Sequence, residues 1–126
     1  MSSRMMETHK NQSLSTRLRF ALAGIAHGLR TERSLRTQAM ALLLVMLVLL
    51  ILRPAPLWWA LVIISSAAVL AAELFNTAIE RLADRLHPEL HPEIRIVKDC
   101  AAAAVLCFAI AAVGVAIALV VELTRH

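Results

Sequence analysis

The chain has 126 residues, 60% of them hydrophobic, and a formal net charge of +4. That length supports one domain, and a soluble domain so small has too little interior for an apolar share above the usual roughly 45–50%. The absence of tyrosine and the three glycines argue against a β-rich barrel, and the placement of the positive charge points to a membrane surface rather than to nucleic acid.

Residues 1–12 are polar and are expected to form a frayed tail. The polar opening lacks the short apolar core and small-residue cleavage site of a secretory leader. From Leu14 a helical period begins, with Leu14, Leu18, Leu22, Ile25 and Leu29 spaced by three or four residues. Arg17, Arg19, His27 and Arg30 fall largely off that stripe. The pattern predicts an amphipathic helix over residues 14–33, lying in the membrane interface with its apolar side down. A helix packed on its own protein is the alternative.

The first transmembrane span is predicted over residues 34–53. Ala39 to Leu52 contains no polar residue. This stretch is shorter than the roughly 20 residues a span needs, so Leu35, Arg36 and Gln38 extend it, with Arg36 snorkelling to the headgroups. The turn Arg53-Pro-Ala-Pro56 then reverses the chain. A second span follows over residues 57–86, with Trp58 and Trp59 at its outer boundary and a helical extension past the hydrocarbon. Pro88 and Pro92 break the loop His87 to Glu93. The third span is predicted over residues 94–121. Its alanine-rich core suits close packing against other helices in lipid. Cys100 and Cys107 lie seven residues apart on it, about 10.5 Å along a helix and too far for a disulfide. Both are expected to be small packing residues.

Lysine and arginine set the orientation. Seven precede Thr37 and four lie in Arg81, Arg85, Arg95 and Lys98, against one at Arg53 and one at Arg125. That bias predicts a cytoplasmic N-terminus and 81–98 loop, with the C-terminus outside. The fold expected is therefore all-α, an interfacial helix followed by three spans.

The chemistry concentrates on the second span. Glu73, Asn76, Glu80 and Asp84 fall at about 0°, 300°, 340° and 20° around a helix, one polar stripe at its inner end. A carboxylate at the hydrocarbon edge is costly to keep and is by default functional. The structural alternative pairs these carboxylates with Arg81 and Arg85 on the same helix. Glu32 closes the interfacial helix and Lys98–Asp99 opens the third span at the same face. Carboxylates, a lysine and an amide gathered at one depth suit phosphoryl transfer, in which carboxylates hold Mg²⁺, a lysine neutralises phosphate and a base takes the acceptor proton. No glycine-rich phosphate loop is present, so a nucleotide site would be built from helix side chains.

The run ELFNTAIERLADR, residues 73–85, with KDCAAAAV after a short loop, resembles the small bacterial diacylglycerol kinases, whose pattern is shared with undecaprenol kinases. GIAHGLRTERSLR, residues 24–36, is similar to a second element of that family, with Leu35 where Phe is usual. The resemblance runs over roughly residues 17 to 121. It implies a homotrimer in the bacterial inner membrane, with active sites shared between subunits and Mg-ATP as donor. By position it makes Glu73 the general base, with Asn76 positioning the reacting groups. It assigns Glu32 and Glu80 to the metal, and Glu32, Glu80, Glu89, His91, Lys98 and Asp99 to the nucleotide. Arg36, Gln38, Glu73 and Ala102 are the substrate-side candidates, and Asp84 lies near the site without a fixed role. Gln38 departs from the glutamate of diacylglycerol kinases and the histidine of the undecaprenol branch. Ala102 and Phe20 stand where hydroxyl residues are common, and the loop at His87–Pro88 is unusually rich in proline.

The resemblance implies phosphorylation of 1,2-diacylglycerol to phosphatidic acid, with undecaprenol as the alternative acceptor. A proton-relay subunit or a non-enzymatic membrane anchor is the reading from another class. The clustering of polar groups at one face, with none in the middle of spans one and three, disfavours a relay. Magnesium-dependent ATP binding separates the kinase from both.

Overall fold

A computed structural model describes residues 12–125, so the expected tail over residues 1–12 falls almost wholly outside the described residues. Four helices follow in order: α1 (Leu14–Thr31), α2 (Arg33–Leu52), α3 (Pro56–Leu86) and α4 (Pro92–Thr124). The last three are long and apolar enough to cross a membrane, which makes this a multi-pass membrane protein. At 1.5 Å per residue, α2 is about 30 Å long, matching a hydrocarbon core, while α3 and α4 reach about 46 and 50 Å. Their excess length carries polar residues beyond the apolar layer.

Local chemistry explains each boundary. Ser13 N-caps α1, its Oγ accepting from the Thr16 N–H at 3.4 Å. A single extended residue, Glu32 (φ −106°, ψ 116°), separates α1 from α2. Its N–H donates to the Gly28 carbonyl at 2.8 Å. Arg36, expected to snorkel to the headgroups, is exposed beside the end of α1. Its Nη1 turns back to donate to the Leu29 and Arg30 carbonyls at 3.1 and 2.9 Å, satisfying acceptors left open where α1 ends. Arg53 closes α2 in the left-handed region (φ 49°), its N–H donating to Leu49 O at 2.8 Å. Pro54 prevents continuation, and Pro56 opens α3 at a position where its missing N–H costs nothing. Pro92 opens α4 in the same way.

The interior is thin. At the α2–α3 turn, Leu49, Val62 and Leu119 form a buried cluster, with Met46, Trp58, Trp59 and Val115 packed against it. The two indoles, expected only as boundary markers, are thus half-buried packing residues as well. At the other end Leu35, Val69, Ala72, Ala83 and Ala101 are buried. The most extensive helix pairing is α3 with α4. Small residues from both helices, including Ala68, Ala72, Ala101 and Ala104, line the space between them. Cys100 and Cys107 do not join this packing as expected; both are exposed on the chain surface. Leu14, Leu18, Leu22 and Ile25 of α1 are likewise exposed.

Gly28 sets how closely α1 approaches the spans. A Cβ there would lie 2.7 Å from Leu35 Cδ2 and 3.1 Å from Leu74 Cδ2. Glycine lets α1 lie this close to α2 and α3, and any side chain at this point would require Leu35 to shift.

Candidate functional site

The corner at Glu32 and the Gly28 contact bring the beginning of α2 against the middle of α3. Leu35 and Leu74 both touch the space over Gly28. Their sequence neighbours Ser34 and Glu73 meet directly, with Ser34 Oγ donating to Glu73 Oε2 at 3.0 Å. Glu73 is only 6% exposed. Among the described residues no cation is paired with it. A carboxylate removed from water without a counter-ion is expensive, and such groups are kept where chemistry uses them.

The stripe continues as the helical angles require, becoming wetter toward the α3 terminus. Asn76 and Glu80 are half-buried and Asp84 is exposed. Asn76 Nδ2 donates to Glu80 Oε1 at 3.4 Å. Asn76 Oδ1 is buried without a hydrogen-bond partner among the described residues. Beside Asn76 an apolar cavity of about 340 Å³ opens between α3 and α4, lined also by Ala72, Phe75, Ile79, Ala101 and Phe108.

The same-helix ion pairs of the structural alternative do not form among the described residues. Arg81 reaches across to Glu32, Nη2 to Oε1 at 3.6 Å, locking the α1–α2 corner to α3. Asp84 receives the ammonium of Lys98, which ties α3 to α4. Arg85 pairs with none of the stripe carboxylates among the described residues. Asp84 therefore gains a physical task that its spacing alone left open: it holds Lys98 on the face that carries the carboxylates.

The structure thus makes three separate contacts along this face, Ser34 with Glu73, Asn76 with Glu80 and Arg81 with Glu32, and holds Lys98 at the α3 terminus. The remaining sequence candidates lie outside these contacts. His91 N-caps α4, its Nδ1 accepting from the Glu93 N–H at 3.1 Å. Its ring lies 6.3 Å from that of His87. Glu89, Asp99 and Ala102 are exposed, and Gln38 is half-buried. Arg36 directs its guanidinium to α1 carbonyls. Ser34 and Arg81 are the site residues that sequence reasoning passes over. The signal for Ser34 is a hydroxyl in the first turn of a span, two residues from Glu32 and at the depth of Glu73.

Among the described residues no three His, Cys, Asp or Glu side chains cluster as a ready metal cage. The donor set nevertheless suits Mg²⁺. Glu32 and Glu80 offer hard carboxylate oxygens, and Asn76 Oδ1 is an unused amide oxygen. Mg²⁺ is commonly bound by one or two carboxylates plus substrate phosphates and water rather than by an all-protein cage.

Residues 19–120 match the family described as prokaryotic diacylglycerol kinase. A protein of Synechocystis sp. (strain ATCC 27184 / PCC 6803 / Kazusa) named diacylglycerol kinase is 34% identical over 102 residues, which is 80% of this chain and 58% of that protein. The chain thus spans less than two thirds of that relative's length. The family match contains the α1–α2 corner, the whole polar stripe and the Lys98–Asp99 pair. With four-fifths of its length matched, this chain belongs to the prokaryotic diacylglycerol kinase family.

Proposed function

We propose that the protein is a membrane lipid kinase that transfers the γ-phosphoryl group of ATP to the free hydroxyl of 1,2-diacylglycerol, giving phosphatidic acid. The observation that carries this reading is Glu73, a carboxylate 6% exposed, held by one hydroxyl and without a counter-ion among the described residues. Acidic and basic groups that suit a nucleotide follow it along α3 toward the wetter end of the helix. Glu73 takes the proton of the acceptor hydroxyl as its oxygen attacks the γ-phosphorus. Asn76 orients the reacting groups with its free amide oxygen. Glu32 and Glu80 would hold Mg²⁺, which when bound neutralises charge on the phosphates. Lys98, steadied by Asp84, serves the nucleotide phosphates, with Asp99, Glu89 and His91 at the outer edge of that region. Arg36, Gln38 and Ala102 belong to the acceptor side. The apolar cavity beside Asn76 offers hydrocarbon surface next to the reacting groups.

The charge bias supports a site at the cytoplasmic face of the bacterial inner membrane. The exposed leucines of α1 support a helix resting in the interface. The largely exposed apolar surface of α4, with only Ala101 and Leu119 buried, supports assembly with further copies, as a homotrimer with shared sites.

The test uses purified protein in lipid micelles with labelled ATP and Mg²⁺, offering diacylglycerol and undecaprenol separately, with Glu73→Gln as control. Labelled phosphatidic acid from the wild type and nearly none from Glu73→Gln is the expected result. Polyprenyl phosphate formed faster than phosphatidic acid would reject diacylglycerol as acceptor. Full activity in Glu73→Gln would reject the base, and no transfer to either lipid would reject the kinase.

A further inference from the structure

The Ser34–Glu73 contact has more in it than satisfaction of a buried group. A carboxylate base is useful when one oxygen points at the proton it must take. Glu73 projects from α3 on a side chain with three rotatable bonds, and an unrestrained carboxylate would sample several rotamers. Ser34 Oγ occupies Oε2 at 3.0 Å and leaves Oε1 as the oxygen available to an acceptor. The residue that carries the hydroxyl is helical. It lies in the first turn of α2, one residue before Leu35, which is 2% exposed. Glu73 likewise precedes Leu74, and both leucines close on Gly28. Ser34 itself is exposed and the hydrogen bond is part-buried, but each partner is followed by a leucine packed over Gly28.

We propose that Ser34 is a positioning residue that fixes the Glu73 carboxylate for proton abstraction from the lipid hydroxyl. This rests on the assignment of Glu73 as base. Ser34 does not touch the phosphoryl group and takes no proton; it holds one carboxylate oxygen so that the other meets the acceptor. Threonine keeps an Oγ at the same branch point and serves in its place, whereas alanine does not.

The experiment compares Ser34→Ala and Ser34→Thr in the full chain, in lipid micelles, with each also placed in a Glu73→Asp background. Loss of one hydrogen bond to a charged group predicts a fall in kcat of about tenfold or more for Ser34→Ala. KM for Mg-ATP stays within about twofold because nucleotide binding does not depend on the rotamer. Ser34→Thr recovers most of kcat. The Glu73→Asp side chain is one methylene too short to keep the contact, so Ser34→Ala adds little in that background. A kcat unchanged in Ser34→Ala, a rise in KM for Mg-ATP instead, failure of Ser34→Thr to recover, or an equal loss in both backgrounds would overturn the proposal. Activity retained by Glu73→Gln would instead remove the base assignment itself, so the two failures are separable.

Discussion

Replacing Gly28 by alanine sets a methyl group 2.7 Å from Leu35 Cδ2 and 3.1 Å from Leu74 Cδ2. The first distance is too short for any pair of carbons, so a leucine must move. Leu35 is 2% exposed and has little room to do so. Overpacking of this kind costs about 1–3 kcal/mol. Alanine in place of a helical glycine returns about 0.8–1.0 kcal/mol through backbone entropy. Gly24→Ala is the matched control: it lies on the same helix with nothing within 4 Å of its added Cβ. It should therefore gain stability while Gly28→Ala loses it, a gap of about 1–3 kcal/mol in which the propensity term cancels. Thermal unfolding in mild detergent reads the gap, and a kinase assay reads the accompanying displacement of Ser34 and Glu73 as a lower kcat. Leu35→Val deletes the clashing Cδ2 and should partly rescue Gly28→Ala in both readouts. Equal stability of Gly24→Ala and Gly28→Ala, or no coupling between positions 28 and 35, would refute the close-approach argument.

Glu80→Ala should raise the KM for Mg-ATP several-fold while the protein stays folded; unchanged affinity in a titration would move the metal position elsewhere. Arg53→Gly should stabilise the chain by about 1 kcal/mol, because Arg53 sits at φ 49°, where a side chain is strained and glycine is not. A lower melting temperature would show that the arginine head, not the backbone, matters at that turn. Asp84→Asn should leave the melting temperature nearly unchanged, since a pair this exposed contributes little, yet raise the KM for ATP by releasing Lys98. An unchanged KM would separate Lys98 from the nucleotide.

Helices announce themselves in the sequence because their causes are local. The apolar runs of α2 and α4, the prolines at 54 and 56, and the angular stripe from Glu73 to Asp84 all depend on residues within one element. What stays hidden depends on the corner at Glu32. Until α2 is folded back against α3, only its place two residues after Glu32 distinguishes Ser34 from any serine in a first helical turn. Arg36 has the form of a snorkelling cation, and only the end of α1 above it supplies carbonyls worth binding. Arg81 and Arg85 are equally placed to pair along α3. Glu32, standing across from Arg81, breaks that tie, and a distance between segments cannot be read from spacing within one. The cysteines escape a sequence reading for a related reason: which face of α4 turns inward is decided by the alanines that fit against α3.

Between Pro56 and Leu86, α3 contains neither a glycine nor a second proline. It is a ruler as much as a scaffold. Eleven residues of unbroken helix hold Glu73 and Asp84 about 16 Å apart along the axis and within about 20° around it. In the proposed reaction an apolar acceptor and a fully hydrated donor are then met by one rigid rod, each at its own solvation depth, without a hinge to align them. The same rigidity makes the arrangement intolerant of changes in length. One residue inserted between Asn76 and Glu80 would turn everything beyond it by about 100°, leaving each half of the stripe intact and aimed at different neighbours.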